Sequence, residues 1–127
     1  MTGVANADPR AERALLGSLI IDPEAFAECR PFVVAEDFSD RRFRLIFEAM
    51  LWLYERRTPA DYVTLAGEMQ ERGTLQEIGG ASVLTALINE SPTSMHALTY
   101  AIKVSEIGEL RRRLSRGITP NGTGIVL

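Results

Sequence analysis

Apolar residues recur along this chain at intervals of three and four positions, which is the spacing of one face of an α-helix. The first stripe contains Leu15, Leu16, Leu19 and Ile20. It follows Asp8-Pro9, an N-cap residue with proline in the first helical position, where the missing N–H is harmless. Asp22-Pro23 repeats this start signal, and Pro31 is expected to end the second helix. Two short helices are therefore predicted to meet at a corner around Ile21.

The longest apolar pattern lies in the middle of the chain, where Ser39 is predicted to cap a helix from about Asp40 to Arg57. One face contains Phe43, Ile46, Phe47, Met50, Leu51 and Tyr54. Much of the remaining surface is formed by Leu45, Ala49, Trp52 and Leu53. A helix that is apolar nearly all round is predicted to lie at the centre of the core. Residues 32–38 are predicted to be a connector that places aromatic side chains in the core, because one isolated strand cannot form a sheet.

Two further helices are predicted before Pro92. The first is capped by Asp61 and ends at Gly73, a residue type that adopts the left-handed conformation closing many helices. Its apolar positions are Val63, Leu65, Ala66 and Met69. The second follows a Gly79-Gly80 turn and runs through residues 82–88. Thr93 or Ser94 is then predicted to cap the last helix.

The last helix carries the pattern that bears most on function. Its stripe contains Ala97, Tyr100, Val104, Ile107, Arg111 and Leu114. The alternating spacings of three and four are the a/d pattern of a helix that pairs with another helix. Since the stripe covers only about two and a half heptads, packing on the chain's own core is an equal alternative. The complete pattern predicts an all-α fold, a compact bundle of about six helices that ends in a longer helix.

The composition agrees with a single small domain. The chain has 127 residues, of which 46% are hydrophobic and 24% are charged, and this length is sufficient for one core. A single cysteine, no apolar run of membrane-spanning length and no signal-peptide pattern favour a cytoplasmic domain. The net charge of −3 is unevenly spread, because all 17 acidic residues precede Arg111. This excess of negative charge argues against a dedicated DNA-binding domain.

No combination of residues predicts a catalytic, cofactor-binding or metal site. His96 and Cys29 are the only residues of their types, which is too few for most metal or nucleophile–base arrangements. Gly117 and Gly122 have the spacing of a phosphate-binding loop but lack its lysine. Capping explains the carboxylates before the central helix, and solvated ion pairs explain the arginines that follow. These residues are Glu36, Asp37 and Asp40, and Arg41, Arg42 and Arg44.

The most distinct electrostatic feature is a basic cluster at the end of the last helix. It consists of Arg111, Arg112, Arg113 and Arg116. These side chains complement the negative end of the helix, and the alternative is an interface with an acidic partner or with nucleic acid. The chain is therefore interpreted as a binding or assembly domain.

Four blocks of sequence, in one order and register, resemble a known family. They are an E-x-x-L-L-G start within residues 8–26, D-F-x-x-x-x-x-R-x-I-F-x-A from Asp37 to Ala49, D-x-V-T-L-A from Asp61 to Ala66, and G-G-A from Gly79 to Ala81. Over about residues 8–115 the chain is similar to the N-terminal domain of replicative DNA helicases of the DnaB type.

This resemblance implies an all-α head followed by a helical hairpin, within the collar of a hexameric ring whose subunits pair through their hairpins. It implies self-association, primase and a helicase loader as partners, with DNA contacted only through the parent protein during replication. The ATPase motor, with ATP and Mg, belongs to a separate C-terminal domain of the family. The chain itself is therefore expected to be no enzyme and to bind no cofactor.

On this basis the chain is divided into a disordered N-terminus at 1–7, a globular head at 8–93, a hairpin or dimerisation helix at 94–116 and an unassigned tail at 117–127. The dimer or partner interface is predicted at Tyr100, Val104, Ile107, Arg111 and Leu114. The tail shows no match to the second arm of the hairpin, and the chain is expected to be a piece of a larger protein.

Two other functions stay open at this point. One is a helicase-binding domain of a primase, which is a related helical design on the other side of the same interface. The second is a small helical DNA-binding regulator that uses the basic cluster at residues 111–116. A further departure from the family pattern is Arg111, since an apolar residue would pack better at a seam position.

Overall fold

The computed structural model describes residues 7–91 and 96–117. These residues form six α-helices and one 3₁₀ turn and contain no strand, which confirms the all-α prediction. The elements are α1 (Pro9–Ile21), α2 (Ala25–Cys29), the 3₁₀ turn (Ala35–Asp37), α3 (Arg41–Glu55), α4 (Tyr62–Arg72), α5 (Ala81–Glu90) and α6 (Ala97–Ser115). The predictions for residues 1–6, for Pro92, Thr93 and Ser94, and for the tail after Gly117 lie outside the described residues.

Two helices begin where their local sequence predicts, and one of them also ends there. The Asp8 carboxylate accepts a hydrogen bond from the Ala11 N–H at 3.1 Å and caps α1. The Asp61 carboxylate accepts one from the Thr64 N–H at 3.0 Å and caps α4. Gly73 closes α4 with a φ of 76°, a conformation that a residue with a side chain rarely adopts.

The predicted cap of α3 is wrong by one residue. Asp40, rather than Ser39, is the N-cap, and its carboxylate accepts a hydrogen bond from the Arg42 N–H at 2.8 Å. Ser39 instead donates its N–H and its hydroxyl to the Glu12 carboxylate of α1, at 3.0 and 2.8 Å. Ser39 therefore bonds to a buried carboxylate on another helix instead of capping α3.

The predicted start of α2 is also wrong. The N–H of Asp22 donates to the carbonyl of Ser18 at 2.9 Å, so Asp22 closes α1 instead of opening α2. Asp22-Pro23 then forms a turn, and α2 begins at Ala25 without a side-chain cap. Three residues, 22–24, therefore separate the two helices.

Helix α3 supplies the largest part of the core, as predicted. Its buried residues are Phe43, Ile46, Phe47, Ala49, Met50 and Leu53. The ring of Phe47 lies 5.3 Å from both the Phe26 ring and the Phe38 ring, measured between centroids. The helix is not buried all round, however, because Trp52 and Tyr54 are exposed.

The connector before α3 buries only part of its apolar content. Val33 and Phe38 are buried, whereas Phe32 is exposed. The segment contains the 3₁₀ turn rather than a strand. The preference for a connector is therefore confirmed, but only one of its two aromatic side chains enters the core.

The remaining helices pack around α1 and α3. Helix α1 packs against α5 and α6, and α3 packs against α4 and the 3₁₀ turn. In α4, Leu65 and Met69 are buried, but Val63 is 73% exposed. Val63 lies on the opposite side of the helix from Leu65, because two residues along a helix correspond to a rotation of about 200°.

Candidate assembly surface along the last helix

Helix α6 turns a face of small residues toward the rest of the chain. The buried residues of this face are Ala97, Ala101, Val104 and Gly108, at spacings of four, three and four. The face packs on α1, α2 and the 3₁₀ turn. Because the side chains are short, the backbone of α6 can approach these elements closely.

The closest approach is at Gly108. A Cβ atom added to this residue would lie 2.7 Å from the Cα atom of Asp37 and 2.8 Å from the Asp37 carbonyl oxygen. Both atoms belong to the backbone and cannot rotate away. Glycine is therefore required where α6 crosses the 3₁₀ turn.

Asp37 joins three parts of the molecule at this crossing. Its Oδ2 accepts a hydrogen bond from the Val34 N–H at 2.9 Å, which closes the 3₁₀ turn. Its Oδ1 lies 2.8 Å from Arg112 Nη2, in an ion pair whose aspartate side chain is 3% exposed. Its carbonyl accepts a hydrogen bond from Arg111 Nη2 at 3.0 Å. The prediction that Asp37 caps the central helix is wrong, because its carboxylate closes the 3₁₀ turn and Asp40 caps α3.

The basic cluster is thus partly used by the chain itself. Arg111 Nη2 also donates to the carbonyl of Glu36 at 3.1 Å, and Arg112 lies 3.3 Å from the carboxylate of Glu109. These contacts direct Arg111 and Arg112 toward the head and hold the end of α6 in place. Arg111 therefore already makes hydrogen bonds within its own chain, and its place in a seam between two helices stays a prediction.

A second buried carboxylate holds the opposite side of the connector. Glu12 on α1 accepts the two hydrogen bonds from Ser39 that are described above, and its side chain is buried. Burial raises the pKa of the Glu12 carboxyl, and the two bonds from Ser39 oppose this rise. Glu12 and Asp37 together tie the connector to α1 and to α6.

The five predicted interface residues separate into two groups. Val104 is 2% exposed and packs in the core, and Arg111 bonds to the 3₁₀ turn. Tyr100, Ile107 and Leu114 are half-buried and follow one another at intervals of seven residues along the flank of α6. We call these three residues the flank stripe. Its pairing with another helix stays a prediction.

The arginines in the first turn of α3 form ion pairs, Cys29 is buried and His96 is exposed. Arg41 pairs with Glu77 at 2.7 Å, and Arg42 pairs with Asp40 at 2.7 Å. Cys29 is a buried free thiol whose pKa is raised to about 11, first by burial and then by Glu28. This raised pKa disfavours the reactive thiolate. His96 is exposed at the start of α6.

Within the described ranges, no group of His, Cys, Asp and Glu side chains could hold a metal ion. None of the helices described there combines the length and the apolar character that crossing a bilayer requires.

A family model matches most of the chain. Residues 4–106 match the DnaB-like helicase N terminal domain. The replicative DNA helicase DnaB of Mycobacterium leprae is 38% identical over 110 residues, which is 87% of this chain and 18% of that protein. The replicative DNA helicase DnaB of Geobacillus stearothermophilus is 37% identical over 114 residues, or 88% of this chain and 25% of that protein. The chain belongs to the family of DnaB-like helicase N-terminal domains.

Solved structures agree with this assignment. The N-terminal domain of the DnaB helicase from Mycobacterium tuberculosis superimposes with a TM-score of 0.85 at 38% identity, covering 88% of this chain and 81% of that one. A DnaB-like replicative helicase, solved to show its interactions with primase, superimposes with a TM-score of 0.76 at 28% identity, covering 85% of this chain and 25% of that one. The chain thus spans about a quarter or less of the full-length helicases that it matches.

Proposed function

We propose that this chain is the assembly and primase-interaction domain of a hexameric replicative DNA helicase. Its relatives are replicative helicases, and the interactions of one structural neighbour with primase have been solved. In this proposal the parent protein hydrolyses ATP with Mg and unwinds DNA, and a helicase loader is a further partner. The chain itself contributes geometry: it sets how subunits pair and it presents a surface to primase.

The flank stripe is the observation that supports the assembly role. Tyr100, Ile107 and Leu114 are large apolar side chains in line on one helix, and all three are only half-buried in the single chain. Leu110 is also half-buried and lies between Ile107 and Leu114 on the same flank of the helix. A seven-residue repeat of this kind is the pattern of helices that pair side by side. In this proposal, two copies pair through α6 to give a weak dimer.

The pairing is tested by comparing two substitutions of one residue type on one helix. Ile107 lies in the flank stripe, and Ile102 is 38% exposed at about 140° around the same helix axis. We expect Ile107→Asp to shift the monomer–dimer equilibrium to monomer, since pairing would bury a carboxylate. Ile102→Asp should leave the equilibrium unchanged. Sedimentation equilibrium over a range of concentrations measures both.

Two outcomes would contradict the assembly proposal. One is a chain that stays monomeric at the highest concentration and is unaffected by either substitution. The other is dissociation by Ile102→Asp alone, which would place the pairing surface on the opposite flank.

The primase role is tested separately by titration calorimetry with the purified chain. We expect binding to primase and none to intact helicase. Binding to helicase alone would favour the alternative of a primase-derived helicase-binding domain.

A mobility-shift assay on single- and double-stranded DNA at low and moderate salt tests the alternative of a small DNA-binding regulator. Weak binding is expected, because Arg111 and Arg112 of the basic cluster already contact the head.

A further inference from the structure

The outward side of α6 carries its own stripe with spacings of three and four. The flank stripe supplies Tyr100, Ile107 and Leu114, and Lys103 and Leu110 follow the first two of these by three residues. Lys103 is exposed, and the other four are half-buried. We call these five residues the pairing surface. Their spacing is the a/d pattern of a helix that lies along another helix.

The two long edges of the pairing surface differ in whether the chain itself occupies them. On one edge Val104 is buried and Arg111 donates to the 3₁₀ turn, so this edge faces the head. On the other edge Glu106 and Arg113 lie about two turns apart. Neither of these two side chains makes a hydrogen bond or an ion pair within the part of the chain that the structure describes. The free edge therefore offers one negative and one positive group to a partner.

A parallel pair of copies makes poor use of these charges. Identical residues face each other in a parallel twofold pair, so the two Lys103 side chains would meet within the pairing surface. Glu106 would face the head-side edge of the other helix, where Arg111 already donates to the carbonyls of Glu36 and Asp37. Both features disfavour the parallel arrangement.

In an antiparallel pair the two free edges face each other, and the register decides which charges meet. If the twofold axis passes near Ser105, Glu106 faces Glu106 of the partner subunit. If it passes near Arg112, Arg113 faces Arg113 of the partner subunit. These like charges repel each other. An axis near Glu109 instead places Glu106 opposite the partner's Arg113, and twofold symmetry forms this pair twice.

We propose that two copies of the chain pair through α6 in antiparallel orientation, with the twofold axis near Glu109 and with Glu106 of each copy against Arg113 of the other. This inference rests on the self-association proposed above. It adds the orientation, the register and the two residues that set them, because charged residues beside a helix seam select orientation and partner.

The apolar residues of the pairing surface fit the same register. Ile107 lies opposite the partner's Leu110, and symmetry repeats this contact on the other side of the axis. Lys103 lies opposite the partner's Leu114, where its aliphatic stem can cover the leucine while the ammonium group stays in water. The register that joins opposite charges therefore also joins the central large apolar side chains.

The test exchanges the two charges and measures the dissociation constant of the dimer by sedimentation equilibrium of the 127-residue chain. We expect Glu106→Arg and Arg113→Glu each to weaken the dimer about tenfold, because two attractive contacts become two repulsive ones. The double variant that combines both changes should restore the original dissociation constant, since the opposite charges meet again. Added salt should reduce all of these differences.

A mixture of the two single variants gives a second readout. With a fluorescent label on one of them, we expect a mixed dimer to form in preference to either self-pair. Glu71→Arg is the matched control, because it makes the same charge change at an exposed residue of α4. This variant should leave the dissociation constant unchanged. Circular dichroism checks that every variant retains its helices.

The proposal is overturned if the double variant stays as weak as the single variants, which is what a parallel pair predicts. It is equally overturned if Glu106→Arg has no more effect than Glu71→Arg. A dimer that Ile107→Asp dissociates but that the charge exchange leaves unchanged would retain the assembly proposal and remove this one. A chain that is monomeric at every concentration would remove both.

Discussion

The two sides of α6 share the same spacing of apolar residues but differ in side-chain size and in burial. The inward face contains Ala97, Ala101, Val104 and Gly108, and the flank stripe contains Tyr100, Ile107 and Leu114. Both sets recur at intervals that a helix places on one side, and they lie next to each other around the axis. The inward residues are small and buried, whereas the flank residues are large and half-buried.

This difference shows that spacing identifies a face and side-chain size identifies its use. A helix that lies close to the backbone of its own chain needs short side chains at the crossing. A helix that associates with a separate partner gains more from large apolar side chains, because they bury more surface. Added volume or charge on the inward face should therefore lower the stability of the fold. The flank should tolerate such changes in the single chain.

The largest effect is expected for Val104→Asp, which places a carboxylate in the core. Burying a charge without a partner should lower the free energy of unfolding by about 4 kcal/mol or more. Urea unfolding followed by circular dichroism measures the loss. Thr99→Asp, at an exposed position of the same helix, should change stability little. If Val104→Asp folded normally but lost only self-association, Val104 would belong to the intermolecular surface and the inward face would be misassigned.

A smaller loss is expected for Gly108→Ala. The new methyl group would contact the backbone of Asp37, and relieving that contact requires α6 to move, so we expect a loss of about 2 kcal/mol. Gly67→Ala is the matched control, because a Cβ there has nothing within 4 Å. That change should stabilise α4 by about 0.5 to 1 kcal/mol, since alanine is the better helix former. Equal stabilisation by both variants would mean that the crossing of α6 and the 3₁₀ turn is looser than described.

The smallest effect is expected for the ion pair that fixes the end of α6. A double-mutant cycle with Asp37→Asn and Arg112→Gln should give a coupling energy of about 1 to 2 kcal/mol, because the Asp37 carboxylate is buried while Arg112 keeps some contact with water. Unfolding of the two single variants and of the double variant supplies the four values. A coupling energy near zero would show that this ion pair adds nothing to the packing and to the Arg111 hydrogen bonds that hold α6 against the head.

Much of the fold could be predicted from local sequence. Asp8, Asp61 and Gly73 act where their residue types act in other helices, since a cap needs only neighbours within a few positions. The central place of α3 also followed from its apolar content. Ser39 was misassigned because its partner, the Glu12 carboxylate, is remote in sequence. Capping and remote hydrogen bonding use the same side-chain groups, and the local sequence contains no signal that separates them.

The candidate surface was only partly predictable for a related reason. Ala97 and Val104 fit two stripes with spacings of three and four, one continuing through Tyr100 and Ile107 and the other through Ala101 and Gly108. Choosing between the two requires knowing which elements lie beside the helix. The small size of Ala101 and Gly108 was a signal that could have indicated the inward face.

The sequence by itself determined the number of helices, most of their ends and the family to which the chain belongs. These features depend on periodicity, on caps and on blocks of residues that are close together along the chain. Only the tertiary structure decided which side of α6 faces the head and which partners Glu12 and Asp37 take. Each of these depends on residues from separate helices, and their positions are fixed only when the core packs.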